Sequence, residues 1–295
     1  MILLPLLLFL SGPAAAADHG ACDALVVYQS GSEAYDAAVS GLRESLANAA
    51  FRVEYLDLAD PAGHQRLGEK LLTSPKVVAA VGIGAWDRLA SYSGPVVPAM
   101  VLREEVSSRD RRAGAVYANV PLAAIAANLQ VLFPGRNRLA LIHRAPFPAP
   151  DAGAVAHLKQ MGFELMVVEC PGPQKLMAAL ASMKGKADFA VAEPDPELYN
   201  SATVKPLVLA SLESGLPLVG FSAAFVRAGA LAGVYPDFRD LGRQTGDLLA
   251  RILSGKPSDR KREEDARKVV VAVNERIARL MGIEPADRSH AITFR

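Results

Sequence analysis

An amide and two hydroxyls lie close together near the start of the chain. Gln29, Ser30 and Ser32 directly follow the apolar run 24–28, which is typical of a buried strand, and they precede a predicted helix. Such groups are suited to binding a carboxylate or another polar headgroup of a small molecule. The hydroxyl of Ser30 or Ser32 could also cap the helix, and one residue could serve both roles.

Two charged residues occupy the same kind of position later in the chain. Arg144 follows the predicted strand 138–143 and could pair with an anionic group of a ligand. Glu193 follows the predicted strand 187–192 and could accept an amine. The alternatives are an arginine in solvent on a loop, and an acid at the surface or at a helix N-terminus.

Small and aromatic residues complete the candidate binding set. Gly82, Gly84 and Ala85 open a predicted helix, where glycine lets a ligand approach the backbone or simply permits a tight turn. Predicted strands end at the other three candidates, which are Phe221, Ser222 and Tyr235. The two aromatic rings could stack on an apolar part of a ligand, and burial in the core is their alternative role.

No catalytic or metal-binding motif accompanies these residues. The sequence contains no HExxH segment, no Cys/His cluster with metal-ligand spacing, no G-x-S-x-G elbow, no Walker loop and no strand-linked G-x-G-x-x-G. The histidines are scattered over predicted loops and helix faces, at His19, His64, His143, His157 and His290. We therefore expect neither an enzyme nor a cofactor. An exported enzyme is a third alternative, which would need a cluster built from Glu193, Arg144 and His143.

The elements that must position these residues are alternating strands and helices. One series of predicted strands lies at 24–28, 51–56, 76–82, 96–101 and 114–120, and a second lies at 138–143, 163–169, 187–192 and 216–221. This rhythm implies right-handed βαβ crossovers and mostly parallel sheets. The predicted fold class is α/β, with two doubly wound parallel-sheet lobes. Because ligands bind at the carboxyl ends of parallel strands, the candidate residues should line a cleft between the lobes.

Composition and the N-terminus limit where the protein acts. A chain of 295 residues with 51% hydrophobic content can bury the cores of two lobes, and a formal net charge of +1 argues against nucleic acid as a partner. Residues 1–17 combine an apolar run with small residues, and Ala15 and Ala17 suit the cleavage site of a secretory signal. No other segment is apolar enough to cross a membrane, so we expect export to the periplasm.

The two cysteines invite a disulfide interpretation in an exported protein. Predicted strand positions place Cys22 and Cys170 at opposite ends of the sheets, which disfavours a bond between them. Cys22 could instead be a lipid acceptor that anchors the protein. The preceding residues, His19, Gly20 and Ala21, lack the leucine expected three positions before such a cysteine.

The region 216–257 resembles a known protein family. It reads as a buried strand, a short helix, a second strand and a long amphipathic helix. Along these elements stand Pro217, Gly220, Phe221 and Ser222, then Gly229, Ala230 and Leu231, and then Asp237 and Leu241-Gly242-Arg243-Gln244. In these residues and their order the region resembles the ABC-transporter substrate-binding proteins with the type I periplasmic binding fold. A second match near the C-terminus is carried by Asn274, Ala278, Gly282, Ile283 and Pro285.

The resemblance implies a connectivity and a function. The chain would cross between the lobes near Asn119, near Tyr235 and within 256–268. The implied divisions are an N-terminal lobe of 23–119 and 236–258, a C-terminal lobe of 120–235 and 266–285, and an unassigned, exposed tail of 286–295.

The protein would close by hinge motion over a small molecule and deliver it to an ABC permease. Aromatic or branched amino acids are the family's better-known substrates, but Ile83 stands where the family commonly has a hydroxyl residue, which weakens that inference. The alternative is a periplasmic sensor or scaffold module of the same fold that engages a protein partner.

Overall fold

The structure is a computed structural model that describes residues 22–106, 112–145, 147–255, 262–287, 289 and 291–294. The predicted signal segment 1–17 and part of the predicted third crossover lie outside these residues. The strands are β1 (Ala24–Tyr28), β2 (Val53–Asp57), β3 (Val77–Val81), β4 (Val96–Val101), β5 (Ala115–Tyr117), β6 (Arg138–His143), β7 (Glu164–Glu169), β8 (Phe189–Ala192), β9 (Leu218–Gly220), β10 (Ala232–Pro236), β11 (Glu263–Glu264), β12 (Val269–Asn274) and β13 (Ala291–Phe294). The helices are α1 (Glu33–Leu46), α2 (Gly63–Leu72), α3 (Ile83–Arg88), α4 (Arg103–Val106), α5 (Leu122–Leu132), α6 (Ala152–Gln160), α7 (Leu176–Met183), α8 (Val204–Ser214), α9 (Ala223–Ala228), α10 (Phe238–Leu253) and α11 (Glu275–Met281).

The first lobe is built on a parallel sheet with the strand order β11-β5-β4-β3-β1-β2. Every residue of β3 and β4 is buried, because helices cover both faces of the sheet. Side chains that alternate along β1 pack into different cores. Val26 contacts the layer formed by α1 and α10, whereas Val27 contacts the layer that contains α2 and α3.

The second lobe is built on a sheet with the order β13-β12-β10-β9-β8-β6-β7. Its strands pair in parallel except for β10 and β12. This antiparallel pair has a simple cause. The chain leaves the lobe through β10 and returns through β12, so Pro236 and Val269 are paired beside the crossover. Two α/β lobes with mainly parallel sheets confirm the predicted fold class.

Helix α10 packs against α1 in the first lobe at the distance of direct backbone contact. A Cβ atom on Gly242 would lie 1.8 Å from the carbonyl oxygen of Ala38, and one on Gly41 would lie 1.9 Å from that of Arg239. These contacts leave no room for any side chain, so glycine is required at both positions.

The segment that returns to the second lobe is tied to α10 by polar contacts. Buried Gln244 donates from Nε2 to the carbonyl oxygen of Asp265 and to Oε2 of Glu264, both at 2.9 Å. Arg267 donates from Nε to Oδ2 of Asp240 at 2.8 Å, and Arg251 also pairs with Glu264. The sequence Leu241–Gln244 therefore both packs the helix and fixes the crossover.

The structure assigns two features that the sequence left open. In the unassigned tail, residues 291–294 form β13, which extends the second sheet in parallel with β12. The disfavoured bond between Cys22 and Cys170 is not formed, since both cysteines are free and lie in the cores of different lobes. Cys22 is 2% exposed, and its burial opposes the lipid-acceptor alternative.

Candidate functional site

A cavity of about 100 Å³ lies between the two lobes. The first lobe contributes residues that follow β4 and β5, which are Leu102, Glu104, Ala118 and Asn119. The second lobe contributes residues at the carboxyl ends of β6, β8 and β9, together with parts of α5 and β10. These are Ile125, Ile142, His143, Arg144, Phe147, Pro148, Ala192, Glu193, Pro194, Asp195, Leu198, Phe221, Val234 and Pro236, with Val120 on the connection between the lobes. The position agrees with the rule that ligands bind at the carboxyl ends of parallel strands.

Glu193 presents a largely buried carboxyl group to this cavity. No hydrogen bond or ion pair joins its side chain to any residue in the described part of the chain. Burial, with a smaller contribution from the nearby charge of Glu104, raises the pKa of Glu193 from 4.5 to about 7. The group is therefore poised between its neutral and ionised forms near neutral pH.

Glu104 brings a second carboxylate to the cavity from the opposite lobe. It lies on α4, and Asn119 Nδ2 donates to its two oxygens at 3.2 and 3.4 Å. Asn119 also accepts from the backbone N–H of Arg103 at 2.9 Å, so it orients the start of α4. Both lobes thus place carboxyl groups on the same small cavity.

Arg144 is neutralised by acids of its own lobe. Its Nε donates to Asp195 Oδ2 at 2.6 Å and its Nη2 donates to Asp195 Oδ1 at 3.1 Å, while Nη1 lies 3.1 Å from Glu197 Oε2. The side chains of Arg144 and Asp195 are only 10% and 7% exposed. The bidentate bond to Asp195 raises the pKa of Arg144 above its ordinary value. The guanidinium therefore supports the cavity wall, and its charge is not available for an anion.

An aromatic group closes one side of the cavity. Phe221 packs against Tyr199 and Phe225, with ring centroids 5.6 and 5.3 Å apart respectively. Tyr199 is 8% exposed, and its hydroxyl has no hydrogen-bond partner among the described residues. Burial raises the pKa of Tyr199 well above its usual value, and the charges of Cys170, Asp195 and Glu193 act in the same direction.

Three of the predicted site residues meet at the cavity, namely Arg144, Glu193 and Phe221. Ser222 does not line it. Its Oγ accepts from the N–H of Phe225 at 3.1 Å and so caps α9. Tyr235 is 6% exposed and stacks on Phe238 at a centroid distance of 6.4 Å.

Val234 and Pro236, the neighbours of Tyr235 on β10, do line the cavity. Successive side chains of a strand point to opposite faces, so Tyr235 faces away from the cavity.

The predicted residues of the first lobe form a separate group outside the cavity lining. Gln29 is exposed, and a Cβ on Gly84 would lie 3.9 Å from its Oε1. Ser30 donates its backbone N–H to Asp57 Oδ1 at 3.0 Å. Ser32 occupies the N-cap of α1, although its side chain makes no capping bond within the described region.

The remaining residues of this group support the loop after β3. Gly82 has φ +88°, which favours glycine, and a Cβ there would lie 2.8 Å from Cζ of Tyr35. Ala85 is 2% exposed and packs in the core with Trp86. The two loops are thus neighbours in space, as their positions after β1 and β3 predict.

Glu104, Asn119 and Asp195 are cavity residues that the sequence analysis missed. Asp195 had a visible signal, since it is a second acid that follows the same strand, two positions after Glu193. Within the described residues, no group of three or more His, Cys, Asp or Glu side chains is arranged to hold a metal ion. No helix in that part of the chain is long and apolar enough to cross a membrane.

The sequence profile of a family described as ABC transporter substrate binding protein matches residues 153–292. This match confirms the resemblance over the C-terminal part of the chain. No curated protein sequence matches the chain.

Solved structures of binding proteins share the fold. A ligand-free, open substrate-binding protein with adhesive properties from Clostridium difficile is 16% identical, with a TM-score of 0.67 over 93% of this chain and 99% of that one. An ABC domain in complex with L-Trp from Streptococcus pneumonia is 18% identical, with a TM-score of 0.55 over 92% and 99%. A periplasmic ribose ABC transporter protein from Conexibacter woesei DSM 14684 is 14% identical, with a TM-score of 0.53 over 89% and 95%. At these identities the likeness concerns the fold, which is that of type I periplasmic binding proteins.

Proposed function

We propose that this chain is the exported solute-binding component of an ABC transporter, and that it binds a small organic molecule in the cavity between its lobes. The observation that carries the proposal is the cavity itself, since residues of both lobes line it at the carboxyl ends of their strands. A ligand that contacts both walls stabilises the closed arrangement of the lobes over the open one.

Two further observations support a binding protein. The profile match over residues 153–292 includes Glu193, Asp195 and Phe221 of the cavity wall. The cavity is also open space, whereas the sensor or scaffold alternative is favoured by a cleft filled with the protein's own side chains. Delivery to an ABC permease follows from the family resemblance and is part of the proposal, as is export to the periplasm.

Binding is tested by calorimetry on the purified protein. We expect at least one member of a panel of amino acids, amines, sugars, purines and organic acids to bind with a stoichiometry of one. The variant Ala118→Phe, which places a ring in the cavity, should abolish that binding.

The matched control is Ala156→Phe, which adds the same ring at an exposed position of α6 and should bind as the wild type does. Circular dichroism verifies that both variants are folded. A folded protein that binds no member of the panel would contradict the proposal.

Uptake provides the test of the transport role. Cells that lack this chain should lose uptake of the ligand identified by calorimetry, and the wild-type gene should restore it. Normal uptake of the ligand in cells that lack this chain would contradict the role in transport and leave the binding function standing.

A further inference from the structure

We infer that Glu193 and His143 select the ligand by hydrogen bonds, and that the ligand presents an O–H or N–H donor to Glu193 and an acceptor atom to His143. The inference rests on the proposed function and deepens it by naming the chemistry that the same cavity recognises. Its starting point is that both side chains line the cavity without a hydrogen bond or an ion pair to any residue in the described part of the chain. A hydroxyl group and the edge of a lactam each offer a donor and an acceptor together.

The two residues are neighbours across the sheet of the second lobe. His143 ends β6, and Glu193 directly follows β8. These strands pair in parallel with Ile142 opposite Ala192, so His143 and Glu193 each lie one position beyond that pair. Because adjacent strands are only about 4.8 Å apart, one small molecule in the cavity can reach both side chains.

The other acid after β8 shows what a carboxylate with a structural role looks like. Asp195 accepts from Nε and Nη2 of Arg144 at 2.6 and 3.1 Å. It also accepts from the backbone N–H groups of Glu197 and Leu198 at 2.9 and 3.2 Å. The Glu193 carboxyl, two positions earlier, receives no donor from the described residues, because the guanidinium of this wall is directed to Asp195 and Glu197.

The local sequence also withholds donors from Glu193. Pro194 and Pro196 have no N–H group, so they remove two of the three backbone donors that follow Glu193. The carboxyl is nevertheless largely buried, and buried polar groups ordinarily have hydrogen-bond partners because a bond left unmade costs free energy. A donor on a ligand in the cavity would supply the missing partner.

The rest of the lining restricts the body of the ligand. Apolar side chains contribute to both walls, among them Leu102, Ile125, Ile142, Phe221 and Val234. An apolar cavity of roughly 150 Å³ accommodates benzene, so a space of about 100 Å³ suits a short alkyl group or a small ring. The ligand class is therefore a small molecule with an apolar body and one hydrogen-bonding edge.

Binding measurements with matched ring compounds test the inference. The probes are cyclopentanol and pyrrolidin-2-one, with cyclopentanone as the compound that keeps the ring and the oxygen but has no donor. Cyclohexanol, piperidin-2-one and cyclohexanone form a second set of the same design. In at least one set we expect the alcohol or the lactam to bind about tenfold or more tightly than the ketone, because a site that accepts a hydrogen bond rejects an analogue without the donor. Calorimetry measures the affinities, and the tighter of the two donors identifies the group as hydroxyl or amide.

Substitutions separate the acceptance of a hydrogen bond from the filling of space. Glu193→Met has a similar length and no acceptor oxygen, so it should remove the preference over the ketone. Glu193→Gln keeps one acceptor oxygen and should retain the preference. His143→Leu should weaken the binding of all three probes of a set, since each carries an oxygen that can accept from the imidazole.

The matched control is Glu213→Met, which makes the same change at an exposed position of α8 in the same lobe and should bind as the wild type does. Circular dichroism verifies that every variant is folded. The inference is overturned if no ring compound binds, if the ketones bind as tightly as the alcohols and lactams, or if Glu193→Met keeps the preference. Loss of the preference in Glu193→Gln, or unchanged affinities in His143→Leu, would also overturn it.

The outcome for the proposed function is separate. Binding of any member of the wider panel that Ala118→Phe abolishes would leave that function standing, whatever the ring compounds do. A folded protein that binds no ring compound and no member of the wider panel would overturn both.

Discussion

Replacing Glu193 with glutamine should change how the stability of the protein depends on pH. Burial, with a smaller contribution from Glu104, raises the pKa of this carboxyl from 4.5 to about 7. Because the folded pKa is the higher one, the native state holds the proton more tightly than the unfolded chain does. The free energy of unfolding therefore falls as pH rises from about 4.5 to about 7, and this contribution is constant above that window. At about 1.4 kcal/mol per pKa unit, the loss across the window is about 3 kcal/mol.

Glutamine has the same shape and no proton to release. The wild type and Glu193→Gln should therefore be of similar stability at pH 4.5, and the variant should be more stable by about 3 kcal/mol at pH 8. Urea unfolding at pH 4.5, 6 and 8, followed by circular dichroism, measures the difference, and carboxyls elsewhere cancel because both proteins carry them. Glu104→Gln should show a smaller effect with the same sign, because burial is the larger cause of the shift. A difference between wild type and Glu193→Gln that is equal at all three pH values would refute the reasoning.

Two further outcomes are expected. Gly242→Ala should destabilise the protein by more than about 2 kcal/mol or prevent folding, because its Cβ would lie 1.8 Å from a carbonyl oxygen of α1. Gly68→Ala on α2 meets no atom within 4 Å and should be neutral or stabilising by up to about 1 kcal/mol in the same urea measurement. Arg144→Met should lower the free energy of unfolding by about 3 kcal/mol, because it leaves buried Asp195 without its partner. A urea midpoint unchanged from the wild type would show that the ion pair contributes nothing to stability.

The sequence predicts the two-lobe fold well because alternating apolar runs and amphipathic helices are local signals. The β1 to β5 and β6 to β9 series follow directly from that alternation. The pairing of β12 with β10 and β13 does not, since it depends on where the chain re-enters the second lobe. A tail of four paired residues at a sheet edge carries too short a pattern to be recognised.

The site is less predictable because its properties depend on pairs that are distant in sequence. Arg144 is separated from its partner Asp195 by 51 positions, and only the neighbouring positions of β6 and β8 bring them together. The local sequence shows an arginine after a strand and suggests an anion site, while the structure shows a charge already satisfied. Tyr235 illustrates a different limit, since the end of a strand is readable from sequence, but which face its last residue occupies depends on the register of the sheet.

The motif that carries the family resemblance and the residues that line the cavity are physically independent. Gly242 and Gln244 are fixed by helix contact and by bonds to the returning segment, and neither lines the cavity. The cavity instead presents Glu193, whose carboxyl has no hydrogen-bond or ion-pair partner among the described residues and whose ionisation is opposed by burial and by the nearby charge of Glu104. The free energy that this ionisation costs as pH rises towards neutral therefore comes from the cavity wall and not from the contacts that hold the helix motif in place.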